Sequence, residues 1–390
     1  MNRCYLILRL FLLLFLIASS TSILPAQQRI QGFGSSRSAH KCGHDSMHRY
    51  YMQTNEDYKK RVQQMEARIL ERTLKLEQQP ELKNNDTYQI PIVFHIIHAS
   101  DEEIGQETNV TDAQVLRGLE LLNDGFRNRG AYADDGLGAK DANNSDRNKL
   151  KSVDTNIEFV LAKQDVFGRP ARGIYRYASD EFTTVTFQQT DFPMKRWVAE
   201  QNEQAFPTHS YANVYLINRI CEQDGFCGNI AGYAFLADAH GFFYDGVVAE
   251  AYRFGDGKAN SAVMIHEFGH YLNLRHTFWS GCPGYECDAS ACDNSDCFQN
   301  GDFVCDTPPD NSTRAVSCDQ RANTCDSDAQ SGFETEQYDL IENYMDYGIF
   351  GCFNTFTQGQ KNRMRIAMEE YRRGLITSQG AVPVAGREVG

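Results

Sequence analysis

Residues 266–276 read HEFGHYLNLRH, three histidines and a glutamate in eleven positions. His266 and His270 fall one turn apart and share a face if "SAVMIHEFGH" is helical, as its texture suggests. His276 can rejoin that face only if the chain reverses just past the helix. A zinc that activates water takes three protein ligands and keeps one open position, so the spacing points to one catalytic zinc on His266, His270 and His276. Glu267, next to the first ligand, is placed to act as general base. The reversal falls at Asn273, where the pattern H-E-x-x-H-x-x-G-x-x-H has a glycine because the backbone needs a positive φ. Asparagine tolerates the left-handed region, so Asn273 makes the turn at some conformational cost. The alternative geometry, a glutamate from a second helix downstream, lacks its usual Asn-Glu pair, which occurs only upstream, at Asn55-Glu56 and Asn202-Glu203.

The chain begins with Arg3 and Arg9, an apolar run from Leu10 to Ala18 and then small residues, the parts of a secretory signal, and the run is too short to span a bilayer. Residues 1–22 are therefore read as a signal peptide, and nothing later is long and apolar enough to span a membrane. Export fits the cysteines, 12 in all, with Cys4 in the signal, Cys42 alone and the rest between Cys221 and Cys352. The segment "CPGYECDASACDNSDC" lacks the C-x2-C step of a zinc knuckle, so disulfides are expected there, and Cys221 is expected to pair with Cys227. Asn85, Asn109, Asn143 and Asn311 head glycosylation sequons. The net charge of −14 argues against a nucleic-acid partner.

Residues 54–79 are polar with a narrow apolar stripe, Tyr58, Val62, Met65, Ile69 and Leu76, and Thr54 with Asp57 resembles a capping box. Such a helix has no core of its own and must lie on something else. After Pro80, "YQIPIVFHIIHA" reads as a buried strand, and Thr111 opens a helix with Val115, Leu119, Leu122 and Phe126 on one face. "NIEFVLAKQD", "NVYLINRI", "IAGYAFLAD" and "DGVVAEAYRF" follow as strands, then the helix with the histidines. The order predicts an α+β fold. From His276 to about Asp339 the chain is rich in Cys, Asp and Gly and without periodicity, an irregular region held by disulfides.

Downstream, "IENYMDYGIF" sets Met345 in a tight turn suited to lie under the metal, and Tyr347 two residues on could donate its hydroxyl to a developing oxyanion. Together "NVYLIN", "IAGYAF", "DGVVAEAYRFG", "MIHEFGHYLNLRHTF", "GDFVCDTP", "NYMDY" and "CFNTFTQGQKNRM" resemble the pappalysin family of metzincin endopeptidases, over about Ile90 to Met368.

The resemblance implies a metzincin-like zinc protease: a twisted mixed sheet and active-site helix above the cleft, and an irregular disulfide-rich lower subdomain. It implies one catalytic zinc on His266, His270 and His276, general base Glu267, Met345 under the metal and Tyr347 as transition-state donor. It also implies a structural calcium at Asp302 and Thr307, whose oxygens suit that ion, and disulfides Cys282–Cys325 and Cys318–Cys352. Cys287, Cys292, Cys297 and Cys305 lie in an apparent insertion, and glycine is usual where this chain has Asn273. A "CG" segment ahead of the prosegment helix makes Cys42 a candidate zinc ligand in a latent form, since a thiolate can fill the open position. The expected organisation is a signal peptide (1–22), a prosegment (23–87), a catalytic domain (88–376, divided at 272/273 into upper and lower subdomains) and a flexible tail (377–390). The expected function is a secreted endopeptidase, made latent, that cuts polypeptide substrates internally. A binding protein on the same fold would be expected to have lost Glu267 or a ligand, and here none is lost.

Overall fold

The computed structural model describes residues 41–133, 150–187, 189–222, 225–279, 292, 296–311, 316–318, 321–325, 333 and 335–385. The expected signal peptide, Asn143, Cys282 and Cys287 lie outside them. The strands are β1 (Lys41–Cys42), β2 (Tyr88–His98), β3 (Ile157–Leu161), β4 (Ile174–Ala178), β5 (Thr184–Thr186), β6 (Ala212–Ile217), β7 (Arg219–Cys221), β8 (Cys227–Ala234) and β9 (Val247–Glu250). The helices are α1 (His44–Thr54), α2 (Glu56–Gln78), α3 (Asp112–Phe126), α4 (Asp191–Gln201), α5 (Gly257–Tyr271), α6 (Gln358–Glu370) and α7 (Arg373–Ile376).

The strands form one mixed sheet in the order β3-β2-β6-β9-β8-β7-β5. β2 is parallel to β3, β4 and β6, and β8 runs antiparallel to β7 and β9. Because β2 is covered on both faces it reads as a continuous apolar run. Ile90, Ile92, Phe94 and Ile96 pack with α3 and α5, whereas Val93 and Ile97 face two smaller clusters behind the sheet. β4 and β5 are short strands that the apolar pattern did not announce.

The long helix of the leading segment is α2, and its five stripe residues are all buried. Its cap is Asn55, whose side chain accepts from the Tyr58 amide; Thr54 instead ends α1, its hydroxyl donating to the Tyr50 carbonyl. The helix has no core of its own. Met47, Met52, Tyr58 and Val62 of α1 and α2 complete a cluster with Phe187, Tyr233 and Phe235, while Met65, Ile69 and Leu76 pack on Leu236, Ile366 and Ala367. At about 1.5–3 kcal/mol per fully buried side chain, Met65 and Ile69 alone hold α2 to the body by several kcal/mol.

Cys318 bonds Cys352, Cys221 bonds Cys227, and Cys297 bonds Cys305. Cys325 bonds Cys292, not Cys282: the Cys292 Cα lies 5.3 Å from that of Cys325, the reach of a disulfide, and each sulfur has room for one bond. Two further expectations are corrected. Asn109 is 3% exposed, its amide donating to the Glu102 carbonyl and accepting from Arg176, so the folded chain offers no access for a glycan there, whereas Asn85 and Asn311 are exposed. Residues 377–385 of the expected flexible tail are docked rather than loose, since the Gly380 carbonyl accepts from the Lys163 amide and Gly380 is buried against Pro91 and Tyr211; 386–390 lie outside the described residues.

Candidate active site

α5 is buried on every side from Ser261 to Tyr271, so its histidines sit in an interior helix. The helix ends in two bonds, Asn273 N–H to the His270 carbonyl (2.8 Å) and Leu274 N–H to the Gly269 carbonyl (2.8 Å), the double closure of a Schellman motif. That motif needs its turn residue in the left-handed region, and Asn273 has φ 77°. The reversal carries His276 back beside His266 and His270.

The three Nε2 atoms stand 3.1–3.2 Å from one another. Each ring's Nδ1 has an acceptor: the Tyr344 carbonyl for His266 (2.5 Å), the Leu274 carbonyl for His270 (2.9 Å) and Asp45 Oδ2 for His276 (2.9 Å). These acceptors place the ring protons on Nδ1, so Nε2 presents a lone pair. Burial keeps His266 and His270 neutral, pushing His266 down to about 3 and His270 well below the usual histidine range. Three lone pairs at that separation repel unless a cation lies among them. The spacing is close to the roughly 3.3 Å between nitrogens bound tetrahedrally to zinc at about 2.05 Å, so these residues fit that ion. The Cys42 Sγ joins the same group, all four donor atoms lying within 4.8 Å of one another.

Cys42 reaches this point because β1 runs parallel to β8 along its outer edge, Cys42 facing Gly232 and the Gly43 amide donating to the Gly232 carbonyl (2.9 Å). Gly232 also pairs with Ala249 on its other side. A Cβ on Gly232 would meet Glu267 Cγ at 2.8 Å, so the strand passes as close to the carboxylate as backbone allows. The Cys42 thiol donates to Glu267 Oε2 (3.2 Å), and burial, with the Glu267 charge, pushes it well above the usual thiol range. Burial pushes Glu267 up to about 8. The Tyr347 hydroxyl donates to the Cys42 carbonyl (3.2 Å), and burial holds that phenol protonated. Cys42, Ala231, Val263, His266, Glu267, Tyr347 and Phe350 line one pocket.

Met345 is fully buried beneath α5, and a Cβ on Gly269 would meet its sulfur at 2.3 Å, so that glycine makes room for the turn. The Met345 amide donates to Asn343 Oδ1, and the Asn343 amide exchanges hydrogen bonds with Gln360 of the α6 capping box. Asp302 and Thr307 lie together elsewhere, the Thr307 hydroxyl 2.8 Å from Asp302 Oδ2, and burial pushes Asp302 up to about 8. The loop's other carboxylate, Asp306, is taken by the Thr357 hydroxyl and the Gly359 amide at the start of α6.

The sequence reading missed how much of the site comes from the leading segment. His44 stacks on His270 with ring centres 4.1 Å apart, and Asp45 bonds His276. Glu66 binds Arg275 (3.1 Å) and Arg363 (2.5 Å). Asp45 was visible only as a carboxylate three positions after Cys42, and nothing local marks Glu66.

Residues 198–369 match the family Peptidase_M43, described as pregnancy-associated plasma protein-A. An extracellular metalloprotease of Sordaria macrospora is 28% identical over 198 residues, 48% of this chain and 61% of that one. Another, of Colletotrichum graminicola, is 35% identical over 150 residues, 36% of this chain and 46% of that one. The chain thus spans about half the length of these curated relatives. In fold it is similar to a promirolysin mutant of Tannerella forsythia, with a TM-score of 0.58 and 23% identity over 86% of this chain and 96% of that one. Mirolysin in complex with a compound gives 0.51 and 24%, over 75% of this chain and 97% of that one. Residues 198–369, the part of the chain that matches this family, hold the helix, the reversal and the methionine turn.

Proposed function

We propose that this chain is a secreted, zinc-dependent endopeptidase made as a latent proenzyme, with residues 41–87 as the described part of its prosegment. The observation that carries the reading is the convergence of three Nε2 atoms, each with its Nδ1 proton committed elsewhere, beside Glu267. Zinc on His266, His270 and His276 would supply the Lewis acid that polarises the peptide carbonyl and the attacking water. The rest of the work falls to side chains. A polypeptide substrate laid along the edge of β8, where β1 lies now, adds a strand to the sheet. Glu267 accepts the proton of the attacking water and returns it to the leaving amine. Tyr347, which now donates to the Cys42 carbonyl, donates to the oxyanion of the substrate. The enclosing pocket, with Ala231, Val263 and Phe350, limits water around the base.

Latency follows from the same contacts: Cys42 takes the position the water needs, β1 takes the substrate's strand, and Asp45 holds His276. Among the described residues no helix is long and apolar enough to cross a membrane. Asp302 and Thr307 are proposed as calcium ligands on the chemistry of their oxygens.

The decisive test is Glu267→Ala. The variant should fold and bind zinc stoichiometrically but cleave no denatured protein substrate, and 1,10-phenanthroline should abolish wild-type cleavage until zinc is restored. Activity in the variant near that of wild type refutes the role of Glu267. A wild-type protein that binds zinc and cuts nothing after prosegment removal is a binding protein on this fold.

A further inference from the structure

Arg275 precedes the last histidine of the site, and Arg363 lies on α6; their side chains are 3% and 6% exposed. Arg363 Nε donates to the Asn273 carbonyl (2.9 Å), which fixes its plane against the reversal that places His276. Arg275 lies over the Trp279 ring at 4.8 Å, and both guanidiniums approach the Phe303 ring, at 5.7 and 5.3 Å. In this arrangement the two cations share one carboxylate. Arg275 Nη2 donates to Glu66 Oε1 and Arg363 Nη2 to Glu66 Oε2. Burial alone would raise the Glu66 carboxyl, but Arg363 and Arg275 outweigh it and hold it below the usual range. Arg275 also donates to His48 Nε2 (3.0 Å). Asp302 lies near enough to feel Arg363, but its carboxylate is occupied by Thr307 and the Val304 amide.

The partners divide cleanly. Glu66 and His48 belong to the segment whose loss is proposed above; Trp279, Phe303 and the Asn273 carbonyl remain. Removal leaves a shaped, aromatic-walled seat with two oriented guanidiniums that have lost the one carboxylate bonded to both, while Asp302 and Asp238 stay within Coulombic reach but, among the described residues, form no ion pair with them. Buried like charges left unpaired are costly, and an oriented guanidinium pair suits a carboxylate. The seat is within a substrate's reach: from Cys42 the chain takes one extended step to Gly43, whose backbone is already helical, and five helical residues to His48, at most roughly 11 Å, or about three residues of extended peptide.

We propose that in the enzyme freed of its prosegment Arg275 and Arg363 form a subsite for an acidic side chain of a polypeptide substrate, a few residues from the bond that is cut. The proposal rests on the protease reading, and its test separates the two. The full chain is folded, cut within the exposed stretch 84–87 and freed of the released segment. Peptides carrying Glu, or Gln as isostere, at about three to five residues on either side of the cut are then compared. At one position kcat/KM for the Glu peptide should exceed that for the Gln peptide at least tenfold. The ratio should shrink with added salt, fall to near one in Arg363→Gln and recover in part in Arg363→Lys, which keeps the charge. The same peptides are titrated calorimetrically on Glu267→Ala enzyme prepared in the same way. Equal cleavage and equal affinity for Glu and Gln at every position overturn the subsite and leave the arginines as a latch for Glu66. Tighter binding of the Glu peptide without cleavage of either peptide by the wild type keeps the subsite and overturns the protease.

Discussion

Asn273 is where the chain departs from the glycine its motif specifies, and the geometry there predicts what the departure costs. The residue has φ 77° and is fully buried, and neither side-chain amide atom has a hydrogen-bond partner among the described residues. A buried amide left unsatisfied costs about 1–3 kcal/mol. Glycine removes that penalty and the left-handed strain together, and loses a few packing contacts in return, so Asn273→Gly should stabilise by roughly 1–2 kcal/mol. Alanine also removes the amide, but a Cβ in the left-handed region costs about 1–2 kcal/mol, so Asn273→Ala should fall below Asn273→Gly by that amount. Both variants keep the backbone bonds of the reversal, and the Asn273 carbonyl still accepts from Arg363. With an unfolding entropy of about 2.1 cal/mol/K per residue over roughly 350 residues, 1–2 kcal/mol is about 1.5–3 °C in Tm. The assay is calorimetric unfolding of the three proteins in a Glu267→Ala background, which prevents self-digestion, with zinc content measured in parallel. An Ala variant as stable as the Gly variant would refute the backbone argument. A Gly variant less stable than the parent would show that the amide has a partner worth more than the turn.

Cys42→Ala should lose its prosegment and gain activity earlier than wild type, with Glu267→Ala as the inert control; coincident time courses on gels would mean the thiol does not guard the site. Glu66→Gln leaves two arginines without their carboxylate, a loss of 3–5 kcal/mol for a fully buried pair and about 2–4 when discounted for the fifth of the Glu66 side chain that solvent reaches. Amide exchange in α2 should therefore quicken by more than tenfold while exchange in β2 does not, and equal protection of α2 would dismiss the latch. If Asp302 and Thr307 hold calcium, ion at a hundred times its dissociation constant adds about 2.7 kcal/mol. That should raise Tm by a few degrees in wild type and not in Asp302→Ala, and a calcium-independent wild type removes the site.

What was legible in the sequence was local. The histidine spacing follows from helix pitch, the α2 stripe from a period of 3.6, and the left-handed turn from the small set of residues that accept positive φ. What was not legible depends on distant pairings. Nothing near Asp45 announces an imidazole 231 positions away, and nothing near Glu66 announces arginines 209 and 297 positions away. The disulfides mark the same limit. Cys221 and Cys227 are six positions apart, and one tight hairpin brings them together. Cys325 had several candidates in an irregular stretch without periodicity, and its partner is set by where the chain lies in space. The leading segment draws both kinds together. Its helix was readable and its need for a partner surface followed, since five buried apolar residues on a polar helix cannot make a core. Which surface it covers could not be read, because the groove is built from β8, α6 and the reversal, elements that meet only when the chain has folded. A segment that ties its cysteine, its carboxylates and its apolar stripe to three separate parts of one cleft gives up only a part of its hold when any single contact is lost. For that reason Cys42→Ala and Glu66→Gln should each weaken latency in part, and only the double variant should abolish it.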